Sequence, residues 1–261
     1  MGRRIHQLIR QLTGQRDPYR KPKQLFNAIA RDTYPTLARY VRSAADPMAA
    51  AVRLAIAGNI IDLGCVSHLT AAHINHAVRE AMDDSLEGMP LEELTQGIAR
   101  ARRILYLADN AGELFFDRLL IEQIPPEKVI LAVRGQPVIN DATREDAEIA
   151  GLTNLVSVID NGSDVPGTVL RDCSPAFRET FEQADLIISK GQGNYETLSE
   201  AKQNLFFLLK AKCPVVARDI GRDVGRIVIS RSRRSAQEAN AQGAQASRRS
   251  SHVEKAGCCE T

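Results

Sequence analysis

Residues 104–124 decide the fold: Ile104-Leu105-Tyr106-Leu107-Ala108-Asp109-Asn110-Ala111-Gly112-Glu113, then Leu-Phe-Phe-Asp-Arg-Leu-Leu-Ile-Glu-Gln-Ile. Five apolar residues in a row are too few for a typical helix, and they end abruptly at Asp-Asn before an amphipathic stretch over Glu113–Ile124. A continuous apolar run, rather than strict alternation, marks a strand covered on both faces, as in a parallel sheet. Working outward, the rhythm recurs. Apolar, β-branched runs lie at Val129–Val133, Leu155–Ile159, Leu186–Ile188, Val215–Ala217 and Ile227–Ile229. Helical stretches lie between them at Asp141–Ala150, Pro175–Gln183 and Tyr195–Lys210. Only Arg218–Arg226 separates the last two runs, too short for a helical crossover, so that pair is expected to be antiparallel at one edge.

The flanks read differently. Over residues 1–98 apolar positions recur at helical spacing, as in Leu25 and Ile29, Leu37 and Val41, and Met48–Ile61. Turn signals at Asp17-Pro18, Asp46-Pro47 and Gly88-Met89-Pro90 cut this region into helices of modest length. Residues 232–261 are rich in Ser, Arg, Ala and Gln without periodicity and read as a disordered basic tail. The expectation is an α/β protein with three parts: a helical subdomain over 1–98, a mostly parallel sheet with helices on both faces over 99–231, and the tail.

Composition narrows the function. The chain carries a net charge of +2, of which residues 231–261 contribute +3, leaving −1 for the body. With no Trp and 5% aromatics there is no basic, aromatic face of the kind that binds nucleic acid. No apolar run approaches the roughly 18–20 residues that span a bilayer. Five cysteines, Cys65, Cys173, Cys213, Cys258 and Cys259, form no Cys-x-x-Cys pair, which suits a reducing, cytoplasmic setting. His68, His73 and His76 lack a carboxylate at zinc-site spacing and read as ordinary helix histidines.

In open parallel sheets, ligands bind outside the carboxyl ends of the strands. The chain places Asp109-Asn110 after the first strand, Gly135–Asp141 after the second, Asp160–Thr168 after the third and Ser189-Lys190-Gly191-Gln192-Gly193-Asn194 after the fourth. Each segment alone is explained by helix capping or a turn. Jointly they put carboxylates, amides, a lysine and glycines on one edge. Hard cations such as Mg²⁺ or Mn²⁺ take carboxylate and amide oxygens, so Asp109, Asn110 and Asp141 suit a divalent metal. Lys190 would add a point charge for phosphate, and the N–H groups of Gly191 and Gly193 would add donors. No Gly-x-Gly-x-x-Gly follows the first strand, and there is no Walker A sequence, so dinucleotide, S-adenosylmethionine and P-loop sites are poorly supported.

Five segments carry a resemblance: Ala57–Asp62, Leu107–Glu113, Gly135–Thr143, Gly162–Thr168 and Ser189–Leu198. In order and spacing the chain resembles, from about Arg3 to Ile229, the damage-control phosphatases with the ARMT-like metal-binding fold, most closely their stand-alone prokaryotic branch. The resemblance implies a Rossmann-like α/β domain beside a helical subdomain. It implies a divalent metal (Mn, Mg, Co or Ni) on Asp109, Asn110 and Asp141, with Lys190 at the substrate phosphate. Asn59 and Asp62 would approach from the helical region, with Asp164 a further site residue. The implied activity is metal-dependent removal of phosphate from small phosphorylated metabolites, with Asp109 the rival nucleophile to a metal-bound water. A non-catalytic metal or metabolite binder, and more distantly a methyltransferase, are the alternatives. Members of this branch usually begin with a helical stretch bearing a Cys-x-x-Cys pair, which this sequence does not show, so the helical subdomain is expected to be incomplete.

Overall fold

The structure is a computed structural model, and it describes residues 2–59, 71–86 and 89–233. Five helices come first: α1 (Gly2–Thr13), α2 (Arg20–Ser43), α3 (Pro47–Gly58), α4 (Ala71–Asp83) and α5 (Leu91–Arg100). An α/β region follows, with β1 (Ile104–Leu107), α6 (Leu114–Ile121), β2 (Val129–Val133), α7 (Arg144–Ile149), β3 (Ser157–Asp160), α8 (Pro175–Gln183), β4 (Leu186–Lys190), α9 (Gln192–Leu198), β5 (Leu205–Lys210), α10 (Pro214–Ile220) and β6 (Ile227–Arg231).

The six strands form one sheet in the order β3-β2-β1-β4-β5-β6, parallel except for the antiparallel β5–β6 edge. The order reverses between β1 and β4, the crevice where open α/β sheets take their ligands. The apolar runs alternate in direction although they do not alternate in polarity. Ile104, Tyr106, Ile188, Phe206 and Leu208 face the core beneath α2, α3 and α6. Leu105, Leu107, Ile187, Phe207 and Leu209 face the core beneath α8, α9 and α10. The helical region and the sheet share the first of these cores.

Helix α3 shows why. Its Asp46 N-cap accepts from the Ala49 N–H at 2.9 Å, and Pro47 opens the first turn. From Ala50 to Gly58 all residues but Arg53 are buried. Gly58 lets Phe116 of α6 pack against the helix: a Cβ there would lie 2.8 Å from the Phe116 Cβ. Burial of Leu54 or Ile56 stabilises by roughly 1.5–3 kcal/mol each. Helix α1 does the reverse. Arg3, Gln7 and Arg10 turn inward, whereas Ile5, Leu8 and Leu12 are 51%, 51% and 78% exposed.

Two expected elements change places. Leu205–Leu209 lies not at the end of a helix but in β5, wholly buried between two strands. Val215–Ala217, expected as a strand, lies in α10, which opens with Pro214 at the first turn. Apolar run length alone cannot separate a buried strand from a buried helix, and Pro214 decides the second case. The antiparallel edge is real but joins β5 to β6 across a connection that contains α10. Ser232 and Arg233, expected in the tail, are held by the body. Ser232 N–H donates to Leu205 O at 3.0 Å, and Arg233 pairs with Glu200 at 2.7 Å. Residues 234–261, with Cys258 and Cys259, lie outside the described residues, as do Cys65 and His68. No helix among the described residues is long and apolar enough to cross a membrane.

Candidate functional site

The loop after β1 and the loop after β2 are stitched together at the carboxyl edge. Ala111 N–H donates to Asn140 O at 2.9 Å and Ala142 N–H to Asp109 O at 2.8 Å, a short antiparallel bridge pairing Asn110 with Asp141. This brings Asp109, Asn110 and Asp141 together. The strained backbone of Ile139, a β-branched residue at φ 45°, precedes them in the second loop.

Around Asp109 the side chains interlock. The Asn59 amide, at the carboxyl end of α3, donates to Asp109 Oδ2 at 2.7 Å and to Glu113 Oε2 at 3.2 Å. The Asn110 amide donates to the same two oxygens at 2.8 and 3.1 Å. Gly191 makes room for the carboxylate: its φ is +81°, and a Cβ there would stand 2.0 Å from Asp109 Oδ2. Asp141 is gripped by the buried Arg134, whose Nε donates at 2.7 Å and whose Nη1 reaches Gly167 O.

Burial dominates the electrostatics. Burial, with Glu113 and Asp141 adding, pushes the Asp109 carboxyl up to about 8. Burial also raises Asp141, against the opposing charge of Arg134. Asp117 is pushed up to about 6, chiefly by burial, despite Lys190. Four carboxylates, Asp109, Glu113, Asp117 and Asp141, meet the buried cations Lys190 and Arg134, with Lys23 acting on Asp141 and Lys212 on Asp109. A divalent cation bound here would favour the charged forms of these carboxyls. The residues fit that group by charge and oxygen donors, although Asn110 presents its N–H groups and would have to turn its carboxamide over to serve. Among the described residues no three His, Cys, Asp or Glu side chains converge to hold a metal, so the donor set depends on that amide.

The remaining expected residues fall elsewhere. Lys190 is wholly buried; its ammonium donates to Glu113 Oε1 at 2.5 Å, Asp117 Oδ1 at 2.7 Å and Ala55 O at 2.7 Å. Burial alone would lower its pKa, but the two carboxylates outweigh burial and raise it. It is therefore an internal counter-charge, not the open cation that the residue order suggests, because α6 presents Glu113 and Asp117 directly beneath β4. The Gly191 N–H is likewise taken, donating to Leu208 O at 3.1 Å, as the ladder to β5 demands. Gly193 lies in the first turn of α9 beside Gly167, whose Cβ would meet Gly193 O at 2.5 Å. Asp164, on the loop after β3, is in the grip of α1, 2.6 Å from Arg3 Nε and 2.8 Å from Arg10 Nη2. Asp62 lies outside the described residues. His76 pairs with Glu80 on a helix surface at 3.3 Å.

Glu113, Asp117 and Arg134 have no role in the sequence-based expectation for the site. A signal existed for the last two. Asp117 interrupts an apolar helix four residues after Glu113, hence on the same face, and Arg134 directly follows an apolar strand.

The fold is thus a Rossmann-like sheet with two acids and an amide brought together at its carboxyl edge, and comparison with known proteins shows the family. The pattern of the damage-control phosphatase ARMT1-like domain matches residues 1–228, and the chain belongs to that family. An uncharacterized protein of Methanocaldococcus jannaschii is 38% identical over 240 residues, 88% of this chain and 78% of its own length. A damage-control phosphatase of Archaeoglobus fulgidus is 36% identical, covering 87% of this chain and 80% of its own. The crystal structure of a DUF89 family protein from Pyrococcus horikoshii superposes with a TM-score of 0.77 at 38% identity, over 88% of this chain and 80% of that one.

Proposed function

We propose that this protein is a divalent-metal-dependent phosphatase that hydrolyses small phosphorylated metabolites in the cytoplasm. The observation that carries the reading is the bridge of Asn110 to Asp141, which draws the loops of Asp109 and Asp141 together in a buried setting that disfavours the charged Asp109 carboxylate. The metal would be held by Asp109, Asn110 and Asp141. It would supply Lewis-acid neutralisation of a phosphate oxygen and a water of lowered pKa.

The chain's own residues do the positioning. Asn59 and Asn110 fix one Asp109 oxygen from two sides, and Glu113 ties those amides together. Lys190 anchors Glu113, so its contribution reaches Asp109 through that carboxylate. Arg134 sets the direction of Asp141. Two free cysteines, Cys173 and Cys213, accord with a reducing compartment.

The test is phosphate release from a panel of sugar phosphates and an aryl phosphate with Mn²⁺, Mg²⁺, Co²⁺, Ni²⁺ or EDTA. Turnover is expected only with metal and is expected to vanish in Asp109→Ala and Asp141→Ala. Near-native rates in either variant would refute the site. Metal binding without turnover on any ester would make the protein a metal-binding relative without this activity.

A further inference from the structure

A phosphate arriving beside Asp109 and Asp141 needs cations, and the buried ones are engaged, Lys23 with Asp146 at 2.7 Å. Lys190 is surrounded by Glu113, Asp117 and Ala55 O, and Arg134 by Asp141 and Gly167 O. Helix α1 brings another set. Arg3, Gln7 and Arg10, spaced i, i+4, i+7, share one helix face and converge on a single carboxylate. Arg3 Nε lies 2.6 Å from Asp164 Oδ1, while Gln7 Nε2 and Arg10 Nη2 donate to Asp164 Oδ2 at 2.9 and 2.8 Å. Arg3 also reaches Asp172 at 3.2 Å.

This cradle adjoins the candidate metal residues. Arg10 Nη1 donates to Pro137 O at 2.8 Å, in the loop that carries Asp141, and His6 lies within electrostatic reach of Asp141. Asp164 belongs to the loop that continues to Gly167 and Thr168, the partners of Arg134. None of α1's described side chains is buried, so its hold on the body is polar and can be exchanged for another anion at little cost in packing.

We propose that Arg10, assisted by Arg3 and Gln7, is the anion-binding group for the substrate's phosphate, and that Asp164 occupies this cradle as an internal anion until substrate displaces it. The inference rests on the phosphatase reading and names which residues set affinity at that site. It makes Asp164 a competitor of the substrate, the opposite of a substrate-binding group. A guanidinium hydrogen bond to a phosphate dianion is charge-assisted and geometrically specific, which a lysine replaces poorly.

The experiment measures inorganic phosphate binding to the Mn²⁺-loaded protein by calorimetry, alongside KM and kcat for an aryl phosphate. Arg10→Ala is expected to weaken phosphate about tenfold and to raise KM with kcat little changed, and Arg10→Lys to recover part of the loss. Asp164→Asn is expected to tighten phosphate several-fold. Arg4→Ala, about a quarter turn of α1 away from that face and exposed, serves as the control. Mn²⁺ affinity should be native in all four. Weaker phosphate binding in Asp164→Asn, with its melting transition intact, would overturn the proposal, as would unchanged binding in Arg10→Ala. Should Asp164→Asn fail to fold, Arg3→Ala decides, with weakening expected and native affinity overturning. If phosphate and Mn²⁺ bind as described but no ester is turned over, the phosphatase reading fails and the cradle stands.

Discussion

Helices α1 and α3 are both 12 residues long, and both bring side chains to the carboxyl edge, yet they are attached in opposite ways. Helix α3 is nearly all apolar, sits inside the core against α6 and delivers Asn59 from a fixed frame. Helix α1 turns its polar stripe to the protein and its leucines to solvent, and it delivers Arg3, Gln7 and Arg10 through ion pairs. Packing in a close-packed interior tolerates little displacement, whereas ion pairs near the surface exchange readily with solvent and ions. One helix therefore builds the site and the other is suited to respond to what enters it.

The sharpest way to break this contrast lies beside α3. Replacing Lys190 by methionine leaves Glu113 and Asp117 buried and uncompensated, and should cost about 3–5 kcal/mol in denaturant unfolding. An unchanged stability with a raised KM would instead make Lys190 an open phosphate cation. Next, Leu54→Ala in α3 should cost about 2–5 kcal/mol, whereas Leu12→Ala in α1 should stay within about 0.5 kcal/mol. Equal costs in thermal melts would erase the distinction between the helices. Smaller again, Arg10→Ala should change stability by less than about 1 kcal/mol while altering phosphate affinity. A large loss of stability would make α1 structural.

The subtlest expectation is a pH effect. Burial alone would raise the Asp164 carboxyl, but the hydrogen bonds of Gln7 and Arg10 and the charge of Arg3 outweigh it and hold the group below the usual carboxylate range. A depressed folded value means the α1 attachment is fully present above the ordinary aspartate value and is lost as pH falls through the lowered one. Amide exchange in α1 should therefore accelerate at strongly acidic pH, ahead of α3. Asp164→Asn should abolish that acid dependence, and simultaneous loosening of both helices would contradict it.

The alternation of Ile104–Ala108, Val129–Val133 and Leu186–Ile188 with helices made the parallel sheet legible, and the sheet in turn located the edge where Asp109, Asn110 and Asp141 meet. These are local facts, because strand, loop and acid lie within a few residues of each other. Leu205–Leu209 and Val215–Ala217 were not legible in the same way, since a short apolar run has the same composition in a buried strand and a buried helix.

What the sequence by itself determined is thus the fold class, the edge and the acids at it, all carried by patterns shorter than a dozen residues. What only the tertiary structure decided is the partner of each charge. Lys190 meets Glu113 and Asp117 across 77 and 73 residues of chain, and Asp164 meets Arg10 across 154. No pattern along the chain encodes those meetings. A buried charge is governed by whichever opposite charge the packing brings within reach, and packing is a property of the whole fold.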